Sequence, residues 1–189
     1  MGSGIVVMAA LVLLVVVVLG WAVAAYNRLV RLRTQVQASW AQVDVQLKRR
    51  HSLIPNLVET VKGYAAHERG TLEAVTAART AAAAAAGQGA QEQAGAESVL
   101  TQALGRLFAL AEAYPQLKAN ENFLALQAEL SGTEDKIAYA RQFYNSAVQS
   151  LNTAIQTVPT TIIAGICGFH PEPYFEAAGD ERADVSVRF

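Results

Sequence analysis

Residues 4–25 read GIVVMAALVLLVVVVLGWAVAA, and none of these side chains carries a charge. The 22 residues would form a helix about 33 Å long, enough to cross a hydrocarbon core of about 30 Å. Trp21 and Tyr26 lie near the C-terminal end of the stretch, where aromatic rings favour the headgroup level of a bilayer. The sequence therefore predicts a transmembrane anchor over residues 1–25, to which the rest of the chain is attached.

The arginines that follow the stretch predict its orientation. Arg28, Arg31 and Arg33 come directly after it, and no Lys or Arg precedes it. The positive-inside bias then predicts a single-pass protein of the bacterial cell membrane, with its N-terminus outside and its C-terminal part in the cytoplasm. We expect Arg28 and Arg31 to lie at the membrane interface with Trp21 and Tyr26, in contact with the lipid bilayer. The simplest role of these arginines is to fix the topology.

Two other kinds of N-terminal segment were weighed against the anchor. Residues 22–24 are Ala-Val-Ala, which matches the cleavage pattern of a signal peptide. Against cleavage, MGSG carries no positive charge and the apolar run is long for a signal peptide. A lipoprotein anchor is excluded because the chain's only cysteine is Cys167. One cysteine permits no intramolecular disulfide, which fits a reducing compartment.

The distribution of charge is more informative than the total. The chain has 15 basic and 16 acidic side chains, so no overall field predicts binding to nucleic acid. Residues 26–50 hold six basic side chains and one acidic side chain, whereas residues 101–189 hold six basic and ten acidic ones. The basic end is thus the membrane-proximal end.

An apolar stripe with helical spacing follows the anchor. No Gly or Pro interrupts residues 21–54, which predicts that the membrane helix continues as one helix to Ile54. Pro55 should then break or kink it, because proline lacks the N–H and clashes with the preceding turn. The stripe that supports this helix consists of Leu29, Leu32, Val36, Trp40, Val43, Leu47 and Ile54.

Three further helices are predicted after Pro55. Asn56 and Glu59 form a capping-box pattern, which predicts a second helix from Asn56 to about Ala86. An exposed turn through Gly87 and Gly89 should follow, and then a third helix from about Ala94 to Ala113.

The Tyr114-Pro115 pair should close the third helix, because the residue before proline is driven out of the α region. A fourth helix should begin near Leu117 and continue to about Ile155. SGTED at 131–135 could kink this helix, but the apolar spacing keeps phase across it.

The predicted fold class is therefore all-α: a transmembrane helix that runs into an antiparallel four-helix bundle over residues 26–158. Residues 159–189 are predicted to be an irregular tail, since glycines and prolines exclude a long helix there. Its apolar residues should pack on the rest of the domain; they are Ile162, Ile163, Phe169, Tyr174 and Phe175.

No pattern that predicts catalysis is present. His67-Glu68 resembles the start of a zinc-protease helix, but Thr71 stands where the second histidine belongs. The other histidines have no metal-ligand spacing, and Cys167 lies among apolar residues, where a buried structural cysteine is the default. We therefore predict no enzyme activity, no cofactor and no metal site; an enzyme with an unrecognised site is the least favoured alternative.

Five residues are candidate contacts with another protein. The Lys48-Arg49-Arg50 triplet is interpreted first as a solvated helix face and second as a surface for a partner or a neighbouring subunit. Tyr114 and Tyr144 are not explained by the apolar stripes alone; core packing with one hydrogen bond is the default for them, and a recognition surface is the alternative.

From about Tyr26 to Phe175 the chain resembles the LemA family of bacterial membrane proteins. The apolar stretch resembles the membrane span of the family only in being an apolar segment, so the resemblance rests on residues outside it. The Ala/Gly segment from Ala81 to Ala96 looks peculiar to this chain. The positions that carry it are Tyr26-Asn27, Trp40, Asp44-Val45-Gln46, Lys48 to Arg50, Ile54-Pro55-Asn56-Leu57, Gly63-Tyr64, His67-Glu68, Tyr114-Pro115, Leu117-Lys118 and Tyr144-Asn145.

The resemblance implies an N-terminal transmembrane helix followed by long antiparallel helices, with no established activity and no catalytic residues to carry over. It favours a scaffold that assembles into a homo-oligomer at the membrane. The competing function is an adaptor that binds another membrane protein, such as a membrane protease. Assembly into an oligomer should persist in the purified protein, whereas an adaptor should form a larger complex only when its partner is present.

Overall fold

The computed structural model describes residues 2–176, and every regular element in that range is a helix. The all-α class is thus confirmed, together with a long apolar helix at the N-terminus. The six helices in chain order are α1 (Gly2–Lys62), α2 (Arg69–Ala84), α3 (Ala90–Ala111), α4 (Pro115–Lys118), α5 (Glu121–Gln156) and α6 (Thr160–Ile166).

Helix α1 contains the apolar stretch and continues without interruption far beyond it. The predicted continuity from the stretch to Ile54 is confirmed, since α1 spans 61 residues. Within the described residues, α1 is the one helix long and apolar enough to cross a membrane. Its large apolar side chains from Ile5 to Leu19 are exposed.

The predicted break at Pro55 is wrong, because α1 includes this proline and ends seven residues later. Proline at 55 cannot donate an N–H to the carbonyl of His51, its partner four residues earlier. That carbonyl instead accepts a hydrogen bond from Nε of Arg79 on α2, at 2.8 Å. A side chain from another helix thus satisfies the backbone group that the proline leaves without a helical partner.

The predicted second helix begins later than expected. Asn56 lies inside α1 and starts no helix, so the capping-box interpretation is wrong. Helix α1 ends immediately before Gly63, and a turn follows in which the N–H of Ala65 donates to the carbonyl of Val61 at 2.8 Å. Helix α2 then begins at Arg69. The glycine after Lys62 marks the boundary because glycine is a weak helix former.

The predicted turn between the second and third helices is confirmed at Gly87 and Gly89. Their φ angles are +84° and +122°, a region that residues with a side chain rarely adopt. Gly89 precedes the first residue of α3, which begins at Ala90, four residues earlier than predicted.

The Tyr114-Pro115 pair ends the third helix region as predicted. Tyr114 has φ −121° and ψ 86°, and Pro115 is the first residue of the short helix α4. Asn120 then caps α5, since its Oδ1 accepts a hydrogen bond from the N–H of Phe123 at 3.0 Å. Helix α5 continues through residues 131–135, so the apolar phase predicted its continuity correctly.

The segment after Pro159 contains a short helix, α6, where an irregular tail was predicted. Helix α6 is limited to seven residues, and Gly168 with φ +69° follows it. Phe175 is buried as predicted, but Ile162 and Tyr174 are exposed. The predicted packing of the apolar residues in this segment is therefore wrong for Ile162 and Tyr174. The part of the predicted tail beyond residue 176 lies outside the described residues.

The chain divides into two compact units, and the division falls within α1 and within α5. The first unit contains residues 2–39 and Ser146–Glu172; the second contains Trp40–Asn145 and residues 173–176. In the second unit, α1, α2, α3, α4 and α5 contribute to one apolar core. Its fully buried members include Ile54, Leu57, Val61, Val75, Ala82, Leu100, Leu107 and Leu117. Buried residues of the first unit include Ala25, Leu29, Val36, Ala147, Val148, Leu151, Ile155 and Ala164.

Candidate functional site

The four residues predicted for the membrane interface lie at the point along α1 where side chains begin to be buried within the first unit. Ala25 is buried, whereas the large apolar side chains N-terminal to it are exposed. Trp21, Tyr26, Arg28 and Arg31 are exposed. The ring of Tyr26 contacts the ring of Phe169 edge-on, with 5.9 Å between centroids. The interface assignment of these residues stays a prediction.

The three residues of the basic triplet have different environments. Lys48 is exposed and pairs with Asp44 on the same helix, with 2.7 Å between Nζ and Oδ2. Arg49 is exposed and its Nη2 lies 2.8 Å from Oε1 of Glu129 on α5. Arg50 is 4% exposed. Contact with a partner stays a prediction for the triplet; Lys48 and Arg49 are its exposed members.

Arg50 belongs to a buried ionic cluster in the second unit. Its Nη1 lies 3.3 Å from Oε2 of Glu97 and 3.4 Å from Oε2 of Glu134. Its Nη2 donates to the hydroxyl of Thr101 at 2.7 Å. The other oxygen of the Glu97 carboxylate lies 2.7 Å from Nε2 of His51. Glu97 thus bridges two consecutive side chains of α1, and each of these buried groups has a polar partner.

The sequence contains a signal for this cluster that the stripe analysis missed. Arg50 follows Leu47 by three residues and precedes Ile54 by four, so it occupies a core position of the α1 stripe. Glu97 likewise lies in phase with Ala90 and Leu100 on α3. A charged residue at a core position is buried only when it is paired. The interpretation of Arg50 as part of a solvated face is therefore wrong.

A cavity of about 210 Å³ lies beside the cluster. Two arginines and two glutamates line it, so the charges of its wall balance. The lining side chains are Arg50, Ala94, Glu97, Ser98, Thr101, Glu134, Ile137, Ala138, Arg141 and Phe175. His51 is absent from this lining, and the Arg50 guanidinium is already occupied by three acceptors. The arrangement holds α1, α3 and α5 together and offers no nucleophile paired with a base.

The described residues contain no group of three or more His, Cys, Asp or Glu side chains that could hold a metal ion. His67 and Glu68 belong to the turn before α2, not to a helix that could present two ligands on one face. Cys167, predicted to be buried, is exposed, so that prediction is wrong. The expectation that the chain needs no cofactor stays a prediction.

Tyr144 connects α5 to the segment after α6 within the second unit. Its ring lies 5.1 Å from that of Trp40, and its hydroxyl donates to the carbonyl of Pro173 at 2.9 Å. The neighbouring Asn145 accepts a hydrogen bond from the N–H of Phe175 at 2.9 Å. Phe175 in turn packs edge-on against Trp40. Tyr144 is buried and has the core role with a hydrogen bond that was the default; a recognition role stays a prediction.

Tyr114 lies at the end of the α3 region with its hydroxyl on the carboxylate of Glu68. The two oxygens are 3.1 Å apart. This hydrogen bond, then partial burial and then the nearby negative charge raise the pKa of Tyr114 above its ordinary value. The direction follows because the hydrogen bond to Glu68 requires the phenolic proton, and loss of that proton would also place two negative charges side by side.

Replacing Glu68 by glutamine is expected to lower the pKa of Tyr114, because the neutral amide removes the repulsion that opposes tyrosinate formation. The measurement is the ¹³Cζ shift of labelled tyrosine as a function of pH. The other tyrosines serve as internal controls and should titrate unchanged. An unaltered Tyr114 titration in Glu68→Gln would contradict the assigned cause.

Two exposed aromatic residues on α5 were missed by the stripe analysis. Tyr139 and Phe143 are 66% and 68% exposed, and they are spaced by four residues, so they share a helix face. They lie between Ile137, Ala140 and Tyr144, which are buried. The sequence signal for this surface is that Tyr139 and Phe143 are four residues apart but lie off the apolar stripe of α5.

Comparison with known proteins gives a family and named relatives. The LemA family pattern matches residues 39–189. Magnetosome protein MamQ 2 of Paramagnetospirillum magneticum is 30% identical over an alignment that covers 89% of this chain and 72% of that protein. Magnetosome protein MamQ of Magnetospirillum gryphiswaldense is 29% identical, with 82% and 66% covered. Protein LemA of Metamycoplasma hominis is 27% identical, with 85% and 73% covered.

The family match covers most of the chain and includes the buried ionic cluster, the aromatic residues of α5 and helix α6. It agrees with the resemblance drawn from Trp40, Tyr114-Pro115 and Tyr144-Asn145 in the sequence. The long apolar helix and the all-helical structure fit a membrane-associated protein of this kind. This chain belongs to the LemA family.

Proposed function

We propose that this chain is a single-pass membrane protein whose helical part forms an antiparallel four-helix bundle in the cytoplasm. Copies of the chain assemble there into a homo-oligomeric scaffold, without catalysis. The magnetosome relatives are named for a compartment of the cell, which favours a role in membrane organisation for this chain as well.

Membrane anchoring is supported by the exposure of the N-terminal half of α1. Its apolar side chains from Ile5 to Leu19 have no covering within the first unit, and water is a poor environment for a surface of this kind. A bilayer covers such a surface completely. Arg28 and Arg31, just beyond the apolar stretch, favour a cytoplasmic location for the basic end of the helix.

Assembly is supported by the exposed aromatic pair Tyr139 and Phe143, and this pair is the observation that carries the scaffold proposal. Aromatic side chains are enriched at the centres of protein interfaces because each buries a large apolar area. In the same unit the α3 residue Val99 is also exposed, but no aromatic residue accompanies it. We therefore assign the face of α5 that carries Tyr139 and Phe143 as the contact surface for a second copy of the chain.

The adaptor function uses the same face for a different occupant. The aromatic pair would then bind one partner protein, and the purified chain would remain small. The mass of the purified protein distinguishes the two functions, since a scaffold carries its complementary surfaces on one chain.

The full-length chain in mild detergent is expected to form a discrete oligomer in mass photometry. The variant Tyr139→Ser/Phe143→Ser should dissociate it, because the apolar contact area is lost. Val99→Ser, an exposed apolar residue on α3, is the matched control and should leave the mass unchanged. A chain that begins at Tyr26 separates the contribution of the membrane helix from that of the helical domain.

A monomer at all accessible concentrations would contradict the scaffold and favour the adaptor. Crosslinking in native membranes would then identify the partner of the adaptor. An oligomer that both serine substitutions leave intact would contradict the assigned surface. The cytoplasmic orientation predicts that a single cysteine at Ser52, in a Cys167→Ser background, reacts with an impermeant maleimide only in inverted vesicles.

A further inference from the structure

We propose that α6 and the residues beside it form a second membrane contact, an apolar surface that lies in the interface of the bilayer that α1 crosses. This surface, here called the α6 face, consists of Val158, Ile162 and Ile166. The proposal rests on the proposed membrane anchoring of α1, and its occupant is the phospholipid bilayer.

Both ends of α6 are held near the end of the apolar stretch. At its N-terminal end, Thr160 lines a groove together with Arg28. Beyond its C-terminal end, Phe169 contacts the ring of Tyr26 with 5.9 Å between centroids. Tyr26 and Arg28 are the first and third residues after Ala25, so α6 lies at the level where the apolar stretch ends.

The distances along the chain keep the α6 face near that level. Three residues separate Ile166 from Phe169, which allows a separation of at most about 10 Å. Helix α6 itself is only about 10 Å long. An interfacial helix lies about 5–10 Å into the headgroup and acyl boundary, so the dimensions match without rearrangement of the first unit.

The side chains of the α6 face are largely exposed within the first unit. Val158, Ile162 and Ile166 are 75%, 58% and 78% exposed. Ile162 and Ile166 are four residues apart and share one face of α6, whereas Val158 lies in the turn that precedes the helix. The buried side of the same helix is held by Ala164. The α6 face is thus not needed to pack α6 against the rest of the first unit, because Ala164 already packs inward.

Charge argues for lipid as the occupant. No Asp, Glu, Lys or Arg occurs between Arg141 and Glu172, so the second half of α5 and all of α6 carry no charge that a bilayer interface would exclude. The groove at Arg28 has a volume of about 460 Å³ and is lined by this cation and by the hydroxyl residues Ser150, Thr153, Thr157 and Thr160. The hydroxyls of Ser150 and Thr157 donate to backbone carbonyls of α5, which leaves Thr153 and Thr160 as the hydroxyls beside the cation. A cation with hydroxyl groups beside it suits the phosphate of a phospholipid headgroup.

The native Cys167 provides the test, because it is exposed directly after α6 and is the chain's only cysteine. The full-length protein is labelled there with an environment-sensitive fluorophore and reconstituted into phosphatidylcholine and phosphatidylglycerol vesicles. We expect emission at shorter wavelength than from the free fluorophore in buffer, and strong quenching by lipids that carry a nitroxide at a shallow acyl position. A label at Ser52→Cys in a Cys167→Ser background should show neither effect.

The variant Ile162→Asn/Ile166→Asn is expected to abolish the quenching of the Cys167 label while the protein still floats with the vesicles, held by α1. The matched control is Val99→Asn, which should keep the quenching. Failure of the unmodified protein to float would contradict the anchoring of α1, the proposed function itself. Flotation without quenching of the Cys167 label would overturn the α6 contact alone. Shielding of that label from aqueous iodide, in the same case, would indicate a protein partner on this face.

Discussion

Replacing Glu97 by leucine is expected to lower the free energy of unfolding by about 3–5 kcal/mol. The substitution removes the acceptor that Arg50 and His51 share at 3.3 Å and 2.7 Å. The guanidinium of Arg50 is buried and would keep only Thr101 and the half-exposed carboxylate of Glu134. The measurement is urea unfolding of the full-length chain in mild detergent, followed by circular dichroism at 222 nm.

Glu129→Leu is the matched control, because it removes a glutamate from an arginine on α1 in an exposed pair. Its expected cost is below about 1 kcal/mol. The double variant Arg50→Met/Glu97→Leu should recover most of the lost stability, since it leaves no buried unpaired guanidinium. Equal losses in Glu97→Leu and Glu129→Leu would contradict the assigned burial of the cluster.

Replacing Arg79 by methionine is expected to cost about 1–3 kcal/mol, the penalty for a buried carbonyl that loses its partner. Nε of Arg79 donates at 2.8 Å to the carbonyl of His51, which Pro55 leaves without a helical donor. Methionine keeps most of the apolar stem and removes the donor. The same urea experiment measures the effect, and Arg69→Met on the same helix, an exposed residue, is the control.

The double variant Pro55→Ala/Arg79→Met provides the specific test of this contact. Alanine at 55 supplies the missing N–H, so the His51 carbonyl regains its helical hydrogen bond. The effect of Arg79→Met should therefore fall close to zero in the Pro55→Ala background, whereas Pro55→Ala alone should stabilise α1. An effect of Arg79→Met that is the same in both backgrounds would show that Arg79 acts through something other than this carbonyl.

The periodicity of apolar residues predicted much of the fold because helical spacing is a local property. Leu29, Val43, Leu47 and Ile54, placed on one stripe of α1, are all buried. Boundaries set by backbone conformation were also predicted, at Gly87 and Gly89 and at Tyr114-Pro115. In each case the deciding information lies within a few residues of the boundary.

The candidate surfaces were predicted less well, because they depend on which residues remain after packing. The basic triplet looks like one patch in the sequence, yet its third member is buried while the first two are exposed. Tyr114 and Tyr144 attracted attention as aromatic residues, but the exposed aromatic residues are Tyr139 and Phe143. Aromatic character alone does not say which side of α5 faces the core.

Composition, spacing and motif order are enough to predict that this chain is helical, that residues 4–25 form an uncharged apolar segment and that the chain resembles the LemA family. Packing between distant residues is what makes α1 pass through Pro55, buries Arg50 in the core and leaves Ile162 and Ile166 exposed. Each of these depends on a group distant in sequence: Arg79 for the carbonyl, Glu97 for the guanidinium and Tyr26 for the position of α6. Local propensity cannot supply such partners, because only packing brings them within reach.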